Sequence, residues 1–130
     1  MNRSFMEVIE EIRTRDPRYT IDAYEFVMEA LSFTQKRFNR PKHVTGIELL
    51  EGVKELLLNR FGPMTLLVLR HWGIHATEDF GHIVFNLVDN RILSKTDDDK
   101  IDNFKDGYNF EEVFEKGYQR QLAKKISRMR

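Results

Sequence analysis

A chain of 130 residues with 41% apolar and 32% charged side chains has the composition of one globular domain rather than of a disordered segment. The absence of cysteine excludes disulfides, thiolate zinc sites, iron–sulfur clusters and thiol catalysis, and the longest apolar run, Leu66 to Leu69, is too short to span a membrane. Net charge is zero but uneven: from residue 116 onward the chain carries Lys116, Arg120, Lys124, Lys125, Arg128 and Arg130 and no acidic residue, which leaves 15 basic against 21 acidic residues before them.

Ser4 and Glu7 have the spacing of a capping box, and Phe5, Val8, Ile9 and Ile12 then recur at helical spacing, so a first helix is predicted to about Arg13. Asp16-Pro17 marks a turn. Asp22 and Glu25 open a second helix whose stripe is Ala23, Phe26, Val27, Ala30, Leu31, Thr34 and Phe38, ended by Arg40-Pro41. Thr45 and Glu48 form another capping box. The third helix turns Leu49, Leu50, Val53, Leu56, Leu57 and Phe61 inward, with Gly52 admitting another backbone closely.

Pro63 suits a first helical position, and Met64 to Trp72 is apolar nearly all round, which predicts a central, buried fourth helix closed by Gly73. Thr77 is expected to cap a fifth helix with Phe80, Ile83, Val84, Leu87 and Val88 inside and Glu78 and Asp79 in its first turn. Ile92 and Leu93 resemble a short strand, Thr96 to Lys100 a polar turn, and Ile101 to Phe104 a returning strand. Asn109 caps a last helix through Phe110, Val113 and Phe114. Tyr118, Leu122 and Ile126 continue beyond it as a narrow stripe that needs another surface to hold it. With ten Phe, one Trp and four Tyr, the core should be rich in rings. The expected fold is thus mainly α: one helical domain over 1–115, with a winged-helix-like core and a short two-stranded β element, followed by a basic amphipathic tail over 116–130.

A winged-helix plan would place the outer face of the fifth helix, with Glu78, His82, Phe85, Asn86 and Asp89, in a nucleic-acid groove. That face is acidic, and the wing would carry Asp97, Asp98, Asp99 and Asp102 beside Lys95 and Lys100. Only Asn86 and the nearby Arg91 suit base or phosphate contact, so the architecture does not bring the activity with it. The four aspartates lack the alternating ligands, central Gly and terminal Glu of a calcium loop. His71, His75, Asp79 and His82 are weak candidates for a zinc site, because Gly73 interrupts the helix between the first two. No nucleophile stands in a strand–elbow–helix context, and no catalytic residue or cofactor is assigned.

Arg18, Tyr19, Asp22, Tyr24 and Glu25 crowd polar and aromatic groups around a helix start. Capping accounts for such residues. If the chain holds a ligand or partner surface, it is expected between this turn (Arg18, Tyr19, Asp22, Tyr24) and the His71–Asp79 loop, which carries His75.

The segments DPRYTIDAYEFVMEAL, HVTGIELLEG, FGPMTLLVLRHWGI, TEDFGHIVFNLV and LSKTDDD, covering most of the chain up to about Phe114, resemble a family of small uncharacterised bacterial proteins known mainly from planctomycetes, verrucomicrobia and deltaproteobacteria. The resemblance implies a bacterial cytoplasmic protein and carries no activity, cofactor or site residue across; the tail after Glu115 departs from it. The expected function is a non-catalytic interaction or regulatory module, partnered by another protein or by a second copy. The alternatives are a winged-helix-like nucleic-acid regulator using the tail (Lys116, Arg120, Lys124, Lys125, Arg128, Arg130) and a metal-dependent enzyme. No membrane association is expected.

Overall fold

A computed structural model describes residues 3–94 and 100–129. The chain runs through α1 (Phe5–Arg15), α2 (Ile21–Arg37), α3 (Gly46–Phe61), α4 (Thr65–Trp72), α5 (Thr77–Asp89) and α6 (Tyr118–Arg128), with 3-10 turns at Gly62–Met64 and Ile101–Phe104 and a π-helical segment, Glu111–Gly117, leading into α6. Helix starts follow the capping chemistry written in the sequence. The Glu7 N–H donates to Ser4 Oγ at 3.2 Å, the Thr45 hydroxyl and the Glu48 carboxylate satisfy each other's backbone donors, and Asn109 Oδ1 accepts from the Glu112 N–H at 2.9 Å. Two starts differ from expectation. Thr20, not Asp22, caps α2 by accepting from the Ala23 N–H, and Asp22 sits exposed in the first turn. At α5 the Thr77 side chain is buried, and the Asp79 carboxylate takes over the Ala76 N–H instead.

The core is built on α2, whose Ala23, Tyr24, Phe26, Val27, Ala30 and Thr34 are all buried. Gly52 lets α3 approach it closely, as its place in the stripe suggested. Phe26, Phe61 and Trp72 bring α2, α3 and α4 together, with ring centroids 5.1 Å (Phe26–Trp72) and 5.7 Å (Phe61–Trp72) apart. A second ring cluster, Tyr108, Phe110 and Phe114, packs the segment before α6 against Phe80 of α5. Tyr108 is anchored by its hydroxyl, which donates to the Leu50 carbonyl at 2.7 Å.

Three expectations are corrected. No strand forms among the described residues, so the two-stranded β element is absent there. The N–H groups of Ile92 and Leu93 instead donate to the Leu87 carbonyl and close α5, and Ile101–Phe104 is a single 3-10 turn. Its function in the fold is to seat Phe104: the ring lies over Gly81, and the Thr77 hydroxyl donates to the Phe104 carbonyl at 2.6 Å. A few apolar residues gain more by inserting one large ring between helices than by forming an isolated ladder. Second, α4 is not apolar burial all round. Thr65, Leu69 and Trp72 face in, whereas Leu67 is 58% exposed.

Third, the winged-helix-like core finds no support among the described residues. They hold no strand to serve as a wing, and Asn86, the residue of the α5 face best suited to reading a base, is engaged within the protein by donating to Asp16 and to Tyr24. Lys95, Thr96, Asp97, Asp98 and Asp99, which carry the expected wing tip and the calcium-like spacing, lie outside the described residues.

Candidate functional sites

The sequence pointed to the α1–α2 turn and the α4–α5 loop, and the fold brings them into contact. Gly73 adopts a left-handed φ of 84°, and a Cβ there would lie 2.1 Å from the Arg18 carbonyl oxygen, so only glycine lets the turn rest on the loop. The Thr20 N–H donates to the Trp72 carbonyl across this junction. Tyr19 is buried, and its hydroxyl donates to Asp79 Oδ1 at 2.5 Å; Asp79 Oδ2 accepts from the His75 and Ala76 N–H groups. Burial first, and then the Asp79 hydrogen bond, push the Tyr19 hydroxyl far above the usual phenol range.

A second carboxylate completes the network. Asp16 accepts two hydrogen bonds from the Arg18 guanidinium, both 2.8 Å, and one from Asn86 at 2.9 Å. The Arg18 hydrogen bonds hold the Asp16 carboxyl well below the ordinary carboxylate range, against the opposing cost of its burial. Tyr24 is buried and bonded to Asn86. Thus Arg18 and Tyr24 share one hydrogen-bonded group through Asp16 and Asn86, and Tyr19 belongs to a second through Asp79; the two meet where the Arg18 guanidinium lies over the Tyr19 ring, 5.1 Å from its centroid, and where the Tyr19 and Tyr24 rings pack edge to face. His75 joins the second group through its backbone N–H, and Asp22 lies apart beside Phe61, Leu67 and Trp72. No buried side-chain polar atom among the described residues lacks a hydrogen-bond partner, and the junction works as a clasp between α1, α2 and α5.

The metal candidates do not converge. His71 and His75 are exposed, the Asp79 carboxylate is engaged as described, and no cluster of metal-ligating side chains occurs among the described residues.

Two features were not legible in the spacing. One is a cavity of about 260 Å³ between α2, α3 and α5, walled by Val27, Leu31, Leu49, Val84 and Val88 and edged by Gln35, Lys42, His43 and Ser94. Leu31, Val84 and Val88 fall on core stripes in the sequence, yet are only partly buried and line this cavity. The other is the degree to which α6 stands clear of the body. The helix has no buried residue: Leu122 is 44% and Ile126 51% exposed, and Met129, just past its end, is 84% exposed.

Tyr118, Leu122 and Ile126 line one side of α6, while Arg120, Lys124 and Arg128 lie nearly opposite at about 100° per residue. Arg120 and Lys116 pair with Glu112, whose carboxyl Arg120 pulls below its usual range. Lys124, Lys125 and Arg128 make no ion pair among the described residues.

Compared with models of protein families, with characterised proteins and with solved structures, the chain matches none. No helix among the described residues is long and apolar enough to cross a membrane.

Proposed function

We propose that the protein is a non-catalytic interaction module of the bacterial cytoplasm that assembles with a second copy of itself through α6. The observation that carries this reading is a two-faced helix with no buried residue. The helix continues the anchored π-helical segment before it but buries none of its own residues, so an apolar stripe at this spacing is useful only against another surface. Two α6 helices would oppose like charges along their basic rows. The better complement is the body of the other copy, which holds the excess of acidic residues. Leu67, 58% exposed beside Asp22, offers the apolar part of such a surface, and Met64, 51% exposed, lies three residues before it in the chain. Reciprocal docking of each α6 on the other body closes a two-fold dimer.

The test is solution mass at low and high salt for the full chain and for Leu122→Asp and Leu67→Asp. A dimer that either substitution converts to monomer, with helix content unchanged, supports the proposal. A full chain that stays monomeric in the micromolar range and in low salt overturns it. If that monomer binds random-sequence DNA or RNA in a strongly salt-dependent way, the basic row serves phosphate instead.

A further inference from the structure

We propose that the cavity between α2, α3 and α5 binds a small amphipathic carboxylate, its apolar chain inside and its carboxylate at Lys42 and His43. Folded interiors are close-packed, and a cavity of about 260 Å³, open to solvent on one side, leaves its apolar wall atoms without the partners a packed interior would supply. It exceeds the engineered apolar cavity of about 150 Å³ that takes up benzene. The walls cannot simply collapse. Thr34 and Gly52 lock α2 against α3, Asn86 ties α5 to Tyr24 of α2, and the Thr77 hydroxyl holds Phe104 in place.

The lining chemistry sets the ligand class. Leu31, Leu49, Val84 and Val88 supply an apolar interior, so a charged group cannot be accommodated in its depth. Lys42 and His43 stand on one side of the opening, and no Asp or Glu lines it among the described residues. Gln35 pins this edge by donating to the Lys42 carbonyl at 2.7 Å, so the cationic side is held to α2 rather than carried on a free loop. A carboxylate at the mouth with a hydrocarbon chain inside satisfies both parts.

Calorimetric titration of the full chain with sodium octanoate, octylamine and octanol tests the assignment. Octanoate should bind, octylamine should not, and affinity along a carboxylate series should rise roughly fourfold per methylene until the cavity is full. Lys42→Ala should weaken octanoate about tenfold and leave octanol unaffected. Val84→Trp, which fills the cavity, should abolish binding while helix content is retained; Leu31→Phe serves the same purpose if that variant fails to fold. Failure of octanoate to bind, equal binding of octylamine, or undiminished binding by the filled variant would overturn the proposal.

Discussion

Thr34 of α2 lies so close to Gly52 of α3 that a Cβ on Gly52 would sit 1.8 Å from the Thr34 hydroxyl oxygen and 2.9 Å from its Cβ. The hydroxyl cannot swing clear without cost, because it donates to the Ala30 carbonyl at 2.6 Å in a buried setting. Gly52→Ala must therefore push the two helices apart. Overpacking of this kind costs about 1–3 kcal/mol, and a backbone shift between the principal helices places this case at the upper end. Urea unfolding should show the loss, and adding Thr34→Ala should recover part of it. An unchanged midpoint for Gly52→Ala would mean that the helices are not this close in solution.

The Tyr19–Asp79 bond joins residues 60 positions apart. Tyr19→Phe removes a buried donor and leaves Asp79 with two backbone partners, so its cost should be near 1 kcal/mol. Asp79→Ala is worse. It strands the buried Tyr19 hydroxyl and removes the acceptor of the Ala76 N–H at the start of α5, which should cost about 2–4 kcal/mol. The ordering is the test: a Tyr19→Phe loss larger than that of Asp79→Ala would show that the clasp does not depend on the carboxylate.

Capping and periodicity were legible because they are local. Ser4, Thr45 and Asn109 act on backbone donors within three residues, and Gly52 stands out as a gap in an apolar stripe. Thr20 and Asp22 can both cap a helix, and only the observed backbone decides that Thr20 does. Ile92, Leu93 and Phe104 form no strand; short apolar runs do not distinguish a strand from a turn that buries one ring. Tertiary closure hid the rest. The turn and loop do meet, but as a satisfied clasp, while the cavity lies between three helices that sequence periodicity alone does not place against one another.

Asp16 predicts an acid dependence. Its folded carboxyl titrates below the unfolded value of about 3.9, so it binds fewer protons in the native state. That contribution is complete above the unfolded value and drains away as pH falls through it toward the folded one. Asp16→Asn should lower stability at neutral pH, and its difference from the parent chain should shrink below about pH 4. Urea midpoints taken along a pH series check this; a difference that stays constant into acid would assign the effect to hydrogen-bond geometry instead of charge.

Trp72 and Thr45 separate core from cap. Trp72 is 7% exposed between Phe26 and Phe61, so Trp72→Ala should cost about 3–5 kcal/mol. Thr45→Ala removes one side of a capping box and should cost about 1 kcal/mol. Chemical denaturation of the two variants should keep that order.

Chain truncation after Tyr118 isolates the contribution of α6. Tyr118 itself is kept because its ring lies near Gly62, whereas none of the described residues after it is buried. Unfolding measured on dilute protein, where assembly does not add to apparent stability, should change by no more than about 0.5 kcal/mol. Phe114→Ala, four residues earlier in the chain and fully within the ring cluster, should cost about 3–5 kcal/mol. A sharp contrast between the two means that the apolar stripe of α6 contributes nothing to the monomer and is available to a partner. If truncation cost as much as the Phe114 substitution, α6 would be packing on its own body in solution, and the docking surface would already be filled.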